Sequence, residues 1–179
     1  SLRSCLAEIL DYRGKTPNKL GGDWSSEGGY RVLSALNVKS DGLSNLDKIR
    51  HVKGDLYKRW MKREVERGDL LLTSEAPAGE VMFWDSDERI VLGQRLFALR
   101  PKKGVSGKYL KYYLQSPTGR REITKNTSGS TVFGISEKMF DQIVVRHPED
   151  YQEQEHIGSL LFEIDKVITL NHRINGELE

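Results

Sequence analysis

The stretch EDYQEQEHIGSLLFEIDKVITLNHRINGELE, residues 149–179, decides the architecture. Ile157, Leu161, Ile164, Ile168, Asn171, Asn175 and Leu178 follow one another at steps of three and four, with Ile174 beside them. That 3.5-residue mean period is the signature of a helix with an apolar seam. Asp150 followed by Glu153 resembles a capping box and marks the start. At 1.5 Å per residue the helix extends roughly 40 Å, too long for a small body to cover. Two readings of the stripe are open: it meets a partner helix, or it packs back on its own domain. Asparagines in such a seam fix register or partner number at a cost in stability.

Working towards the N-terminus, the pattern changes from helical to β-rich. YRVLSALNV (Tyr30–Val38), GDLLLTS (Gly68–Ser74), GEVMFW (Gly79–Trp84), RIVLG, RLFALRP and QIVVRHP read as short strands broken by Gly, Pro or Asp. They lie close together, with EAPAG and DSDE as turns, so antiparallel pairing is expected. SGKYLKYYLQS places Tyr109, Leu110, Tyr113 and Leu114 on one helical face, capped by Ser106. SPTGRREITKN reads as a second short helix opening at Pro117. The expected fold is α+β: a mixed, largely antiparallel sheet domain with short helices over residues 1–148, followed by one long C-terminal helix over 149–179.

The 179 residues suffice for one domain with a real core, and 37% hydrophobic against 30% charged residues describe an ordered, soluble chain. No apolar run approaches the roughly 18 residues of a membrane span, so no membrane partner is expected. The single Cys5 excludes an internal disulfide and fits a reducing, cytoplasmic setting. The first residues carry no signal-peptide pattern and no initiator Met, so the chain reads as cut from a longer protein.

A net charge of +2 conceals a strong asymmetry. From Lys48 to Arg67 eight cations stand against three acids, and from Arg100 to Lys125 eight against one. From Glu149 onward eight acids face two cations. A basic body with an acidic tail suits a nucleic-acid binder with a separate protein-facing segment, although solvated faces without a partner give the same counts. Catalytic signatures are missing. No phosphate loop of the G-x-x-x-x-G-K-[ST] type and no G-x-S-x-G elbow occurs. His51, His147, His156 and His172 lack metal-like spacing. Asp69, Glu75, Asp85, Asp87 and Glu88 lack the lysine partner common in metal nucleases and read as turn and strand-end residues. No metal site and no enzyme activity are expected.

LAEILDYRGKTP, GGYRVLSALNV, RGDLLLTSEAPAGEV, IVLGQRLFALRP, KYLKYYLQSPTGRREI and TSGSTVFGISEKMFDQIVVRHPEDYQEQEHIGSLL, in that order, resemble the DNA-specificity subunit of type I restriction-modification systems. Each motif is loose, but their order and spacing are specific, and they span nearly the whole chain. The resemblance implies one target recognition domain plus its spacer helix: half of a scaffold that does no chemistry itself. It implies double-stranded DNA, read as one half of a split target, as the first partner. The others are methyltransferase subunits using S-adenosylmethionine, a restriction subunit using ATP and Mg, and a second specificity half or a homodimeric copy joined through the helix. No cofactor is expected on this chain. EAPAGEV replaces the glycine-rich turn more usual in the family, which puts a role for Glu75 or Ala76 in doubt. The other class of reading is an assembly protein whose helix dimerises and whose body binds no specific DNA.

If the body grips DNA, cations neutralise phosphates and hydrogen-bonding side chains read base edges. Lys15, Thr16, Arg120, Arg121 and Lys125 are the phosphate candidates, with Ser128, Gly129, Ser130 and Thr131 forming a small, bulk-free loop that closely approaches a phosphate. Ser74, Gln94 and Arg95, at strand ends, are the candidate readers. Residues 45–63 form a candidate basic helix bearing Arg59, Lys62 and Arg63, with Trp60 its anchor to the core. Ile157, Leu161, Ile164, Ile168, Asn171, Ile174 and Leu178 are the candidate helix interface.

Overall fold

LLLT, residues 70–73, is buried on every side chain and marks the centre of the fold. The computed structural model describes residues 1–125 and 134–178. Its strands are β1 (Leu6–Asp11), β2 (Tyr30–Leu33), β3 (Val38–Lys39), β4 (Gly42–Leu43), β5 (Arg50–Val52), β6 (Leu70–Thr73), β7 (Val81–Phe83), β8 (Val91–Leu92) and β9 (Leu96–Pro101). Its helices are α1 (Gly54–Trp60), α2 (Gly107–Gln115), α3 (Pro117–Lys125) and α4 (Tyr151–Leu178).

A four-stranded antiparallel sheet runs in the order β1-β9-β6-β7, with Leu70 opposite Leu99 and Phe83, and Thr73 opposite Leu96. A strand buried on both faces reads as a continuous apolar run rather than an alternation. Successive side chains still point to opposite faces. Leu71 and Ala98 therefore join a core with Trp60, Val91 and Leu92, while Leu70, Leu72 and Leu99 join one with Leu110, Leu114 and Phe140. The mixed α+β fold expected from the sequence is the fold observed.

The second sheet, β5-β2-β8, departs from the antiparallel expectation, because β2 pairs with β8 in parallel. YRVLSALNV also does not run as one strand. Asn37 Oδ1 accepts from the Ser34 backbone N–H and Oγ, 3.1 and 3.0 Å away, and this local bonding turns the chain after Leu33. QIVVRHP joins no sheet ladder. The tyrosine hydroxyls of α2 take its carbonyls instead: Tyr113 donates to Val144 at 3.3 Å and Tyr109 to Arg146 at 3.2 Å.

Ser106 Oγ caps α2 by accepting from the Tyr109 backbone N–H. Asp150 Oδ1 accepts from Gln152 N–H at the start of α4. That helix has 28 residues, about 42 Å. Its first half docks on α2 through Gln154, Gly158, Phe162 and Asp165, which share a face at steps of four, four and three. Gln154 is fully buried, its Oε1 accepting from Ser106 N–H and its Nε2 donating to the Pro148 carbonyl. A Cβ built on Gly158 would stand 2.5 Å from Tyr109 N and 2.9 Å from the Lys108 carbonyl carbon, so only glycine allows the approach. Phe162 meets Phe83 edge to face at 5.5 Å. The helix thus does pack back on its domain, but not through its apolar seam: Leu160, Leu161, Ile164, Val167, Ile168 and Ile174 stay exposed.

The antiparallel sheet sorts the molecule into two ends. β1 begins, β9 ends and β7 ends at one end, where Phe83 and Pro101 lie near α4. At the opposite end lie the turn after β1, the turns at Ser34–Asn37 and Ser74–Ala78, and the β8–β9 connection at Gly93–Arg95.

Candidate nucleic-acid interface

Hydrogen bonds lace the segments of this loop end together. Gln94 Nε2 donates to the Lys15 carbonyl at 2.8 Å, and Gln94 Oε1 accepts from Gly14 N–H at 3.4 Å. Ser74 N–H donates to the Arg95 carbonyl at 2.9 Å, and Ile135 N–H to the Ser74 carbonyl at 2.8 Å. Arg13 stacks on Phe97 and donates to the Ile135 carbonyl at 3.2 Å. Lys15, Thr16, Ser74, Gln94 and Arg95 are therefore brought together from three separate stretches of chain. Ala76 and Arg95, both non-glycine, hold left-handed backbones at φ 55° and 61°. Such conformations cost energy and gather at functional turns.

A cavity of about 250 Å³ opens between these loops, walled by Trp24, Trp60, Val32 and Leu36 and lined by Lys15, Lys48 and Arg50. Among the described residues no carboxylate lines it. Lys48 and Arg50 are exposed and form no ion pair among the described residues. The Arg50 guanidinium lies 3.7 Å over the Trp24 ring. Lys15 Nζ donates to the Trp60 carbonyl at 2.9 Å, and burial, then the charge of Lys62, lowers its pKa below the ordinary lysine value. An anion entering here would meet a cation already partly stripped of water.

The other candidates lie elsewhere or are already engaged. Arg59 pairs with Asp55 at 3.0 Å and donates to the Leu20 and Gly21 carbonyls. The helix carrying it spans seven residues rather than 45–63, and Leu56, Tyr57 and Trp60 are its buried face. Trp60, with its Nε1–H on the Leu92 carbonyl, is the anchor its position suggested. Arg63 pairs with Glu8 at 3.0 Å, and Lys62 is exposed. Arg120 faces inward to Ser40 Oγ at 3.2 Å and Glu80 at 3.7 Å. Lys125 pairs with Glu122 on its own helix, whereas Arg121 is exposed. Ser74 is fully buried, and its Oγ has no hydrogen-bond partner among the described residues. Ser128, Gly129, Ser130 and Thr131 lie outside the described residues, but the chain resumes at Gly134 against Ser74 and Glu75, at this same end. Leu178 is described in its backbone alone.

Sequence reasoning passed over Trp24, Lys48 and Arg50 as site residues. A tryptophan inside GGDWSSEGG, among glycines and serines, was the available signal. The two cations were counted in the basic stretch but outweighed there by Arg59, Lys62 and Arg63.

A family model described as the type I restriction modification DNA specificity domain matches residues 3–179. The type I restriction enzyme MjaIX specificity subunit of Methanocaldococcus jannaschii is 26% identical over 130 residues, 73% of this chain and 29% of that protein. A chain from a study of complex assembly and conformational transition in a type I R-M system superposes with a TM-score of 0.67 at 19% identity, over 99% of this chain and 40% of that one. The type I S subunit from M. genitalium gives 0.61 at 16%, over 99% and 43%. The HsdS subunit of Thermoanaerobacter tengcongensis gives 0.59 at 20%, over 94% and 37%. At these identities the solved structures share the fold, and this chain spans well under half the length of each relative. With only the first two residues outside the match, the chain belongs to the family of type I restriction-modification DNA specificity domains.

Proposed function

We propose that this chain is a target recognition module that reads one half of a bipartite DNA site and performs no bond-breaking chemistry. Residues 1–148 hold the DNA and residues 149–179 serve as spacer and docking rod. The observation that carries the reading is a cationic cavity, free of acids among the described residues, amid laced loops at one end of a sheet whose other end anchors a 28-residue helix with an uncovered seam. The loops suit a polyanion, and the seam suits protein. The partners we assign to the rod are methyltransferase subunits, a restriction subunit and a second specificity half, either a separate half or another copy of this chain. The S-adenosylmethionine, ATP and Mg chemistry belongs to those subunits, and the setting is the cytoplasm. No described helix is long and apolar enough to cross a membrane.

The test is selection of bound oligonucleotides from a random pool, followed by anisotropy titrations at several salt concentrations. A short defined motif is expected, with the logarithm of the binding constant falling linearly with the logarithm of salt, at about 0.9 per phosphate neutralised. A binding constant indifferent to salt defeats the reading. Ile164→Asp with Ile168→Asp, at side chains now in solvent, is expected to abolish assembly in sedimentation while the globule melts unchanged. Unaltered assembly would remove the seam from the account.

A further inference from the structure

We infer that the cavity walled by Trp24 and Trp60, whose rings meet at one side of it at a centroid distance of 6.4 Å, is a nucleobase pocket, taking one base that has left the stack of the bound DNA. The inference rests on the proposed DNA-binding function and goes beyond groove contact. The cavity measures about 250 Å³. A cavity of about 150 Å³ holds a benzene ring, so this one has room for a heterocyclic base and little more. Its walls are aromatic and aliphatic, from Trp24, Trp60, Val32 and Leu36, which is the environment that favours a flat π-system over water.

The charge at the cavity distinguishes a nucleotide from a neutral aromatic ligand. Lys15, Lys48 and Arg50 line the cavity, and no carboxylate among the described residues joins them. Arg50, its guanidinium 3.7 Å over the Trp24 ring, forms a cationic–aromatic pair, and both groups offer surfaces on which an unstacked base can lie. The phosphates flanking that base fall to the lysines. Lys15 keeps protons to donate after its bond to the Trp60 carbonyl. The polar side chains nearby give little base discrimination. Asn37 spends its oxygen on Ser34 and its nitrogen on the Ser44 and Asn45 carbonyls, and Gln94 spends both its groups on Gly14 and Lys15. The pocket is built to hold a base by stacking and charge, not to tell one base from another.

The test compares two duplexes of one sequence, one fully paired and one carrying a single bulged 2-aminopurine, by anisotropy and by the emission of the 2-aminopurine. The bulged duplex is expected to bind about tenfold tighter, the scale of one base stacked on an aromatic ring, with its emission changing on binding. Trp24→Ala is expected to bring the ratio of the two affinities to about one, and Trp24→Phe, which keeps a ring, to retain most of it. Equal affinities for the two duplexes in the wild type, or a preference that survives Trp24→Ala, overturn the pocket and leave the recognition module standing. Free deoxynucleoside monophosphates that quench the tryptophans at micromolar concentration, while the bulge gains nothing, also overturn it, moving the ligand to a soluble nucleotide. Salt-independent binding of both duplexes sinks the proposed function and this inference together.

Discussion

Where α4 meets the globule, Lys108 Nζ lies 3.0 Å from Glu155 and Lys111 Nζ 2.7 Å from Asp165. At the far end of the same sheet, Lys15 and Lys48 form no ion pair among the described residues. The two regions use one residue type for opposite purposes. Lys111 is almost wholly buried, and a buried ammonium persists only when paired and hydrogen-bonded. Asp165 supplies the charge and Tyr112 a third member, its hydroxyl donating to the same carboxylate at 2.7 Å. The acids of the tail are therefore partly the adhesive that fixes the rod to a basic body. The cations left over at the loop end are those for which the chain provides no acid.

The sharpest way to break this contrast is Gly158→Val. The new side chain would meet backbone atoms of Lys108 and Tyr109, so the helix must lift. A loss of about 3 kcal/mol in urea unfolding is expected, and an unchanged midpoint would mean that the joint is loose. Asp165→Asn comes next. It strands the buried ammonium, at about 2 kcal/mol because the carboxylate itself is partly exposed. The double change Lys111→Met with Asp165→Leu should recover most of that loss, since apolar replacements of a buried pair are often neutral.

Acid probes the same joint without mutation. At Asp165 and Glu155 burial pushes the carboxyl upward. The bonds from Lys111 and Tyr112, and from Ser106, Lys108 and Ser159, outweigh it and hold both below the ordinary carboxylate value. A depressed folded pKa stabilises at neutral pH and is lost as pH falls from about 4, the unfolded value, through the folded one. Stability should fall over that window, and fall less in Asp165→Asn, in urea midpoints taken across it.

At the loop end the proposed function places the effects in binding. Lys48→Ala with Arg50→Ala should weaken duplex binding about tenfold, lower the salt slope by about two and leave the unfolding midpoint nearly unmoved. Arg59→Ala, already committed to Asp55 and two carbonyls, should change the slope least of all. A larger loss of slope there than at Lys48 and Arg50 would relocate the interface to α1.

The local patterns were legible in the sequence. β6, β7 and β9 stand out as short β-branched or leucine-rich runs between turn residues, Ser106 caps α2 as its position suggested, and the 3.5-residue period locates α4. What stayed hidden depends on partners distant in sequence. The parallel β2–β8 pair joins Val32 to Val91, and nothing local announces it. Arg100 sits in the most basic stretch, yet Asp69 takes it in a two-pronged pair at 2.9 Å. Arg63 is likewise taken by Glu8. Counting charges along the chain overstated the cations available to a ligand, because ion pairing is settled in three dimensions. Trp24 escaped for the converse reason: its partners Arg50 and Trp60 reach it only through the fold.

Strand β9 starts at the turn bearing Gln94 and Arg95 and ends at Pro101, beside the seat of α4, about 20 Å away along six residues. Exchanging the side chains at the Gln94–Arg95 turn therefore leaves Gly158 and Asp165 undisturbed, and the helix keeps its heading. Such a layout lets a lineage rework one end of the sheet while the joint that aims the helix at the other end stays as it was.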